Sequence, residues 1–581
     1  MLRDSLAKRD SSRARALRAD SLKTPFSRAP APEPIEIGQS LVYDRAALFG
    51  SGALTLQDLL DRIAGITGFR SGWIASPMVS AYLGDVRRVR IYFDGVELDE
   101  LDPRTAAVPD LSQVLLWTLE ELRIERGASE VRVYLRTWRV DHTTPYTRTD
   151  ISTGDQQTNL YRGFFGRRYH NGSGFQLGAQ QYGTTPPLRG SPSSDQLSLL
   201  GRVGWARGPL SVDAFALRTG RNRGAVRPRQ IRGASFSEDS IPPLQSTRTD
   251  AYVRAAVGDP GRNGLWMQAL AAAQKYEINH GSKDALGGSS QDTVPDTTRF
   301  SAQYVLAGGL TWAGVRLTAT ERLRVIGGRR LATPSARAEF VTNPLAISVF
   351  AEGRGPDSLA RGEVAARLTP LPFVSLAAAA GRSLDQRRTD SSVASNYLRA
   401  EAGLRVQRLW FIGGVIRRDS VLLRPPVVFG PSYAAVDDPA AVGFTGAIRG
   451  PIYGALKANL LGIRWNDPAG FYRPRYQTRG EFYLQTNWLS RFPSGNFGLL
   501  ASFVHEYRSR SYLPVTGSGS ALDVRSVPDS RTLNFLLEIR ILSAVVSYQF
   551  RNIRGEQYQL VPGYLMPRQT QFYGVRWEFW N

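Results

Sequence analysis

Residues 571–581 read QFYGVRWEFWN, and the pattern of this C-terminal segment is the clearest indication of the fold. Chain ends are usually polar and mobile, whereas this one is rich in aromatic residues. Its side chains alternate between two faces, with Tyr573, Val575, Trp577 and Phe579 on one and Gly574, Arg576 and Glu578 on the other. Strict alternation predicts a β-strand with one face suited to lipid and one suited to a polar lumen.

The same alternation recurs from about residue 146 to the end of the chain. In SAVVSYQFR (543–551), apolar side chains on one face oppose Ser547, Gln549 and Arg551 on the other. We count about 22 such segments of roughly ten residues, which is the length of a tilted membrane-crossing strand. No helical pattern of useful length interrupts them.

The connections between these segments predict a membrane barrel. Short connections such as ARGPL, DPGRNG and WAGV follow even-numbered segments, and long ones such as SVLLRPPVVFGPSYAAVDDPAA follow odd-numbered segments. Short turns on one rim and long loops on the other are typical of outer-membrane barrels. A β-sandwich has no reason to sort its loops in this way, and a β-propeller would show a blade repeat. The last strand must pair with the first, because an open sheet edge is too costly in lipid.

Composition excludes several other classes of protein. No run of about 18 apolar residues occurs, which excludes a membrane-spanning helix. The absence of cysteine excludes disulfides, thiolate metal sites and a cysteine nucleophile. A net charge of +22 suggests an anionic partner, either nucleic acid or the phosphates of a bacterial outer leaflet. Only five of the 73 basic residues are lysine, so a GC-rich genome is an alternative cause. The arginines are spread along the chain, and we expect no nucleic-acid partner.

Three regions differ in composition. Residues 1–33 are charged, end in RAPAPEP and are expected to form a disordered lead. They contain no apolar core of a secretory signal, which leaves a cytoplasmic protein or a chain from which the signal was removed or lost. Residues 34–138 are expected to form a small α/β domain, and residues 139–581 are expected to form the barrel.

Local signals outline the small domain. In TLQDLLDRIAGITG, Thr55 is the expected N-cap of a helix with Asp58 three residues later. VRRVRIYFDGVELD is an expected strand that turns at Asp94-Gly95. A short helix capped at Asp110 and two further strands complete the domain.

A barrel of about 22 strands behind such a domain resembles the TonB-dependent receptors of bacterial outer membranes. LTLQDLLDRIAGITGFRSG is similar to the opening helix of their plug domain, and VRRVRIYFDGVELD is similar to the plug strand that ends in DGV. DLSQVLLWTLEELRIERGAS is similar to their I-E-R-I-E-V-x-R-G-P segment. The resemblance implies a plug inside the barrel, with structural plug residues at Asp94, Gly95, Val96, Arg126 and Gly127. It also implies a barrel-assembly signal at Gly574, Trp577 and Phe579.

This sequence departs from the family pattern in three places. Leu83 replaces the arginine that usually precedes the DGV strand, and the segment after RGAS is shortened. A clear TonB box, which pairs with the energy-transducing protein by strand addition, is also missing. The best candidate is PIEIG, with Pro34, Ile35, Glu36 and Ile37 as contact residues. The alternative is that these residues form the first strand of the plug.

No motif predicts catalysis, a cofactor or a metal site. His505 precedes a glutamate but lacks the second histidine of a zincin. The acidic pairs Asp437-Asp438 and Glu238-Asp239 are expected to be solvated loop carboxylates, with cation binding as the alternative. The loop Arg223–Gly233 contains several arginines and is expected on the outer rim, where it meets lipopolysaccharide phosphates, captures an anionic ligand or is simply solvated.

The sequence therefore predicts a mainly β protein, a transmembrane antiparallel barrel with an α/β plug inside, and no enzyme. Two functions remain open. The first is uptake of a scarce solute of the iron-chelate, cobalamin or glycan class, together with a TonB energy-transducing complex. The second is a plugged barrel that binds at the surface or has a structural role without transport. In both, the expected partners are outer-membrane lipid and lipopolysaccharide, and the protein is an outer-membrane monomer.

Overall fold

The computed structural model describes residues 26–580 except for 40, 106, 141–142, 186–192, 230–234, 236–239, 280–296, 356–357, 389–390, 468–469 and 518–521. Of the expected disordered lead, residues 1–25 therefore lie outside the described part. Residues 26–33 are largely buried, because Phe26, Ala29 and Ala31 pack inside the barrel. Packing thus begins before the boundary that composition suggests at residue 33.

The small domain, which we call the plug, fills the barrel lumen. Its helices and strands lie between residues 42 and 137. Its helices are α1 (Arg45–Gly50) and α2 (Leu56–Leu60). Its strands are β1 (Val42–Asp44), β2 (Ile66–Arg70), β3 (Met78–Tyr82), β4 (Val89–Phe93), β5 (Val96–Glu97), β6 (Leu119–Arg126) and β7 (Val131–Thr137). One sheet has the order β1-β6-β7-β4-β5, with β4 and β7 parallel, and β2 pairs with β3. No helix in the described chain is both long and apolar enough to cross a membrane.

Local chemistry explains the opening helix of the plug. Thr55 caps α2, and the Asp58 carboxylate accepts a hydrogen bond from the Thr55 backbone N–H at 3.1 Å. This reciprocal capping box satisfies backbone donors that a helix start leaves unpaired. It confirms the predicted N-cap. The helix predicted after Asp110 is only a 3₁₀ turn, Leu111–Gln113, which Asp110 does cap.

The strands after the plug are, in chain order, β8 (Tyr146–Gly154), β9 (Thr158–Arg168), β10 (Ser173–Thr184), β11 (Ser194–Arg207), β12 (Leu210–Arg223), β13 (Leu244–Val257), β14 (Gly264–Asn279), β15 (Thr297–Trp312), β16 (Val315–Ile326), β17 (Arg329–Val341), β18 (Leu345–Gly353), β19 (Ser358–Leu371), β20 (Val374–Arg388), β21 (Ser391–Val406), β22 (Leu409–Arg418), β23 (Val421–Leu423), β24 (Val436–Asp438), β25 (Ala441–Tyr453), β26 (Leu456–Trp465), β27 (Tyr476–Thr486), β28 (Phe497–Arg508), β29 (Ser511–Thr516), β30 (Leu522–Val527), β31 (Ser530–Ile541), β32 (Ala544–Arg551), β33 (Gln559–Val561), β34 (Tyr564–Leu565) and β35 (Thr570–Trp580). The pairs β23–β24, β29–β30 and β33–β34 are hairpins within loops.

The remaining 22 strands close into an antiparallel barrel, which confirms the predicted strand number. The C-terminal strand β35 pairs with the whole length of β8, from Phe572 opposite Gly154 to Trp580 opposite Tyr146. Gly574 permits this pairing, because a Cβ there would lie 2.1 Å from the Ser152 hydroxyl. The aromatic C-terminus is therefore the strand that removes the last open edge.

Each barrel strand has an apolar outer face and a polar or packed inner face. On β11, Leu197, Leu199 and Val203 are about half exposed on the outside, whereas Ser198 and Arg202 are buried inside. Side chains alternate across a strand with a period of two. An outward apolar band is the surface that a lipid bilayer requires.

The two rims differ as the sequence predicts. Short turns such as 208–209, 313–314 and 542–543 lie on the rim where the plug joins β8, which we call the inner rim. Long loops lie on the opposite, outer rim. Several outer connections are unexpectedly short, including the hairpin at Gly327-Gly328, where both glycines have positive φ. Positive φ at both positions suits a tight two-residue turn.

Four outer loops fold together over the plug, and we call them the lid. The lid comprises the described residues of 419–440, 466–475, 509–529 and 552–569. Its interior is apolar, and the fully buried members are Leu423, Phe429, Tyr472, Leu513 and Val561. Backbone bridges join Tyr433 to Val515 and Phe471 to Tyr512. The lid and the plug share one continuous hydrophobic cluster, so the outer mouth is closed.

Candidate functional site

The surface between the plug and the barrel wall is rich in paired charges, and it is the candidate functional site. Arginines and carboxylates from both sides alternate there, and most are buried. A buried charge is tolerated only when it is paired and hydrogen-bonded. The site is therefore built from a network rather than from single residues.

The predicted plug motif Asp94-Gly95-Val96 forms a turn that meets the barrel. Asp94 and Gly95 both have positive φ, and Val96 is buried. The Asp94 carboxylate accepts hydrogen bonds from the Thr137 backbone N–H at 3.0 Å and from the Tyr252 hydroxyl at 2.8 Å. Burial alone would raise the pKa of Asp94, but nearby Arg202 and Arg254 lower it below its usual value. The motif thus anchors the plug to β11 and β13.

The predicted pair Arg126-Gly127 makes the second anchor. Arg126 donates to the Glu36 carboxylate at 2.8 and 3.0 Å and also to Glu401 of the barrel. A Cβ at Gly127 would lie 2.5 Å from the carboxylate of Glu363. Only glycine leaves room for that barrel carboxylate, which accepts from the Ser129 backbone N–H at 2.9 Å. Both plug-motif positions therefore contact a carboxylate of the barrel.

A third group of charges lies on β4 and β7 of the plug. Arg90 pairs with Glu97 at 2.9 Å and with Glu352 of the barrel at 2.7 Å. Arg132 pairs with Glu130 at 2.5 Å and with Glu363 of the barrel at 2.7 Å. Both arginines therefore form ion pairs with one carboxylate of the plug and one of the barrel. The network ties the plug to β18 and β19.

The cations of this network keep its carboxylates ionised. Burial alone would raise the pKa of Glu125, but Arg337 and Arg132 lower it to about 2. Burial acts in the same direction on Glu130, and Arg361 and Arg132 likewise lower its pKa to about 2. The ion pairs therefore persist throughout the physiological pH range.

Two of the cavities that the described residues form in this interface, an outer and an inner one, are relevant to function. The outer one, about 150 Å³, lies beside α2 and extends under the lid. Asp58 and Asp61 of the plug pair across it with Arg551 at 3.2 Å and Arg508 at 2.9 Å. The inner one, about 120 Å³, lies beside the stacked rings of Tyr92 and Tyr134, whose centroids are 5.2 Å apart.

The predicted TonB-contact residues lie in an extended segment along the inner rim, Phe26–Ile37, which we call the strap. Ile35 and Ile37 are buried, and Gly403 accommodates the Ile37 side chain. Glu36 is buried between Arg126 and Arg399. The described strap forms no strand, so these residues are not the first strand of the plug, which is β1.

The remaining sequence candidates are distributed as follows. Asp438 is not a solvated loop carboxylate, because it is buried and paired with Arg418 and with Arg473. Its neighbour Asp437 is exposed. Glu238 and Asp239, and part of the loop 223–233, lie outside the described residues. No cluster of metal-ligating side chains occurs among the residues that are described.

Sequence reasoning missed the barrel half of the site. Glu352, Glu363, Glu401 and Arg337 lie on lumen faces, which alternation alone indicates, but nothing local marks them as ion-pair partners. An alternating strand with a carboxylate on its polar face was the only available signal. The partner of each is fixed by the docking of the plug.

Neither a protein-family model nor a curated protein sequence matches this chain. Solved structures do match its fold. The siderophore receptor PirA from Acinetobacter baumannii has a TM-score of 0.68 at 10% identity, covering 94% of this chain and 99% of that one. The FrpB iron transporter from Neisseria meningitidis has a TM-score of 0.70 at 9% identity, covering 93% and 100%.

A third match is BauA, the ferric preacinetobactin receptor from Acinetobacter baumannii, with a TM-score of 0.64 at 12% identity, covering 94% and 96%. Identities this low show a shared fold and leave the ligand of this chain open. The likeness spans both the plug and the barrel. This chain therefore has the plugged 22-strand fold of the TonB-dependent siderophore and iron receptors.

Proposed function

We propose that this protein is an outer-membrane receptor that takes up a scarce solute past a movable plug. The observation that carries the proposal is the charged surface between plug and barrel. Permanent interfaces are largely apolar, because apolar contact is what stabilises them. The paired charges can instead be rehydrated when the plug moves. Movement also separates apolar contacts between plug and barrel, such as Trp117 with Phe164 and Phe93 with Phe215, which the pull must overcome.

The energy for this movement comes from a TonB-type protein that pulls on the N-terminal segment. The contact residues are Pro34, Ile35, Glu36 and Ile37, which form no strand of their own and are free to add to a partner sheet once released. A peptide covering Ala29–Leu41 should bind the periplasmic domain of the host's TonB protein, and the Ile35→Pro peptide should not. If both peptides bind equally, or if neither binds, these residues are not the TonB contact.

The outer cavity beneath the lid is the candidate solute site, and the apolar band of the barrel supports a location in the outer membrane. Solutes of the iron-chelate, cobalamin and glycan classes are the candidates. The loops of the outer rim lie where lipopolysaccharide phosphates are found, which suits the basic charge of the chain.

A cysteine lock tests whether uptake requires the plug to move. The chain has no cysteine, so two engineered ones form the only disulfide. A Cβ on Gly381 of β20 would lie 3.2 Å from that of Ala128 in the plug, so a shift of a few tenths of an ångström brings the pair into the range of about 3.5–4.5 Å that a disulfide needs. The pair Ala128→Cys/Gly381→Cys therefore locks plug to barrel.

The lock is tested in a deletion strain that carries the parent or the locked variant. Labelled ferric chelates, cobalamin and oligosaccharides are offered separately. We expect the parent to accumulate one class, the oxidised lock to accumulate none, and reductant to restore uptake. The control pair Ala365→Cys/Ala379→Cys joins two neighbouring barrel strands and should leave uptake unchanged. Uptake that is insensitive to the lock would refute a movable plug.

The lid favours a second candidate function, a plugged barrel that does not transport. Its buried apolar core closes the outer mouth, and the plug apex packs directly beneath it. A Cβ on Gly84 would lie 3.3 Å from Leu423 of the lid. If no labelled solute accumulates in any strain, this surface-binding or structural function becomes the better one.

A further inference from the structure

The strap follows the inner rim over many neighbouring strands. At one end, the Ser27 hydroxyl contacts Asp213 of β12 at 3.3 Å. In the middle, the Glu33 backbone N–H donates to Glu339 of β17 at 3.1 Å. At the other end, the Ile37 carbonyl accepts from Arg449 of β25 at 3.5 Å. The strap is thus a long arc laid between the plug and the barrel wall.

Cationic side chains hold the strap by its backbone. Seven arginines each donate to a carbonyl oxygen of the strap: two from the plug, one from the segment between plug and barrel, and four from the barrel. The pairs are Arg139 to Phe26 at 3.0 Å, Arg254 to Ser27 at 2.9 Å, Arg136 to Ala29 at 2.9 Å, Arg316 to Ala31 at 3.3 Å, Arg123 to Pro32 at 3.0 Å, Arg367 to Glu36 at 3.4 Å and Arg449 to Ile37 at 3.5 Å. The strap therefore lies in a groove whose walls point guanidinium groups at it.

The sequence of the strap suits this groove. In Ala29-Pro30-Ala31-Pro32, the prolines have no N–H and favour an extended conformation. The segment therefore presents mainly acceptors to the arginines. A carbonyl oxygen is a weaker partner for a guanidinium than a carboxylate or phosphate oxygen, because it carries only a partial negative charge and offers no second oxygen for a bidentate pair.

The groove continues into the inner cavity. Residues 29–32 of the strap line one side of that cavity. The cations Arg316, Arg322 and Arg337 line it with them, as do the carboxylates Asp94, Glu339 and Glu352. The barrel wall opposite Tyr92 carries small polar side chains, including Thr318, Thr320, Thr333 and Ser335. Small wall residues leave the open volume, and the strap closes it towards the inner rim.

We propose that the strap occupies an anion pathway, and that its release opens the inner cavity to the periplasm for a small solute carrying carboxylate or phosphate groups. The inference rests on the proposed function, since it names the chemical class of the solute and its exit. Anionic oxygens of the solute replace the strap carbonyls on Arg136, Arg254 and Arg316. The path runs between the plug sheet and the β14–β18 wall.

Ion conductance in planar bilayers tests the pathway without a TonB protein or a known solute. The test variant, which we call the linker variant, replaces residues 1–33 by a two-residue glycine-serine linker, so that the strap carbonyls leave the groove while Glu36 stays in place. The parent should be closed, the linker variant should conduct, and a plug deletion (34–138 removed) should conduct far more. Reversal potentials in a KCl gradient should show that the linker variant prefers chloride.

Substitutions then locate the selectivity. In the linker variant, Arg254→Gln and Arg316→Gln should each lower the chloride preference, whereas Arg330→Gln on the exposed outer rim should not. Each variant is first shown to retain a folded barrel by its heat-dependent mobility in electrophoresis. A closed linker variant overturns the proposal. So does a conductance equal to that of the plug deletion, because the strap would then merely retain the plug.

Thiol labelling gives an independent reading of the same cavity. Ser335→Cys is the only thiol in its variant, and it should be protected in the parent background. In the linker background, a negatively charged thiol reagent should label it about tenfold or more faster than a positively charged one. Equal or reversed rates overturn the anion assignment. Neither assay depends on uptake, so a failure of this inference and a failure of the proposed function are distinguishable.

Discussion

The strap closes the inner mouth with hydrogen bonds from arginines to carbonyl oxygens, whereas the lid closes the outer mouth with an apolar core. The strap has few large apolar side chains, and its buried Glu36 is paired with two arginines. The lid buries Leu423, Leu513 and Val561 completely. One barrel therefore carries two closures that differ in the physical basis of their stability.

This difference predicts how each closure opens. Water can replace the carbonyl partners of an arginine, so the strap can be peeled away bond by bond under a pull from the periplasm. Opening the lid instead exposes apolar surface at about 25 cal/mol per Å². The lid therefore opens only when something else covers that surface, such as a ligand. The following predictions separate the two closures.

The largest expected effect comes from the buried anion of the strap. Glu36→Gln leaves Arg126 and Arg399 with Glu401 as their remaining anion. Removing one partner of a buried ion pair costs about 3–5 kcal/mol of stability. Because Glu401 still neutralises both arginines, we expect a loss at the lower end of this range. Hydrogen exchange of residues 26–37 should accelerate accordingly, while exchange in the lid should not change.

Glu33→Gln is the matched control for that experiment. Glu33 belongs to the same strap and pairs with Arg123 at 2.8 Å, but its side chain is 43% exposed. Exposed pairs contribute about 0–1 kcal/mol, so exchange of the strap should change little. If both variants loosen the strap equally, the buried position of Glu36 is not what holds it.

The next largest effect concerns the lid. Leu513→Ala removes a fully buried side chain from the lid core, which should destabilise the lid by about 2–5 kcal/mol. Protease cleavage within 511–527 should increase in intact protein, while strap exchange stays unchanged. Leu522→Ala on the same hairpin is the control, because Leu522 is 52% exposed and its loss should cost under about 0.5 kcal/mol.

The parts of the molecule that could be predicted from sequence are those with local causes. The capping box of Thr55 and Asp58 depends on four consecutive residues, and the alternation of β35 depends on eleven. The Arg126–Glu401 contact joins residues 275 apart, and no local pattern encodes it. The strap resembles a disordered linker because its acceptors are satisfied by arginines from seven different elements or loops rather than by its neighbours. The ion pairs of the site therefore depend on how the plug docks in the barrel, whereas the barrel itself follows from the alternation of apolar and polar residues.

The stability of the outer half of the plug should depend on pH, whereas the strap and the lid should not take part in this effect. Burial raises the pKa of Glu100 to about 7, against only partial opposition from Arg248. The protonated form is therefore favoured in the folded plug. Its stabilising contribution is complete below the unfolded pKa near 4.5 and is lost as pH rises through about 7.

Hydrogen exchange around residues 99–113 measures this effect. Protection should fall by roughly tenfold between pH 5 and pH 8, and Glu100→Gln should flatten the profile. The strap and lid segments serve as internal references in the same samples. A pH profile that the substitution leaves unchanged would assign the titration to another group.

The smallest expected effect concerns one hydroxyl in the lid. The Tyr472 hydroxyl donates to the Ala434 carbonyl at 2.6 Å and lies 3.2 Å from the Pro514 carbonyl, so it joins its own lid loop to two others. Tyr472→Phe keeps the ring and removes the hydrogen bond, which should cost the lid about 1 kcal/mol. Exchange at residues 432–436 should accelerate about fivefold, while Tyr453→Phe, on an 85% exposed side chain near the inner rim, should have no effect. Because the apolar core dominates the lid, the loss must stay well below that of Leu513→Ala. A larger loss would mean that polar contacts hold the lid as they hold the strap.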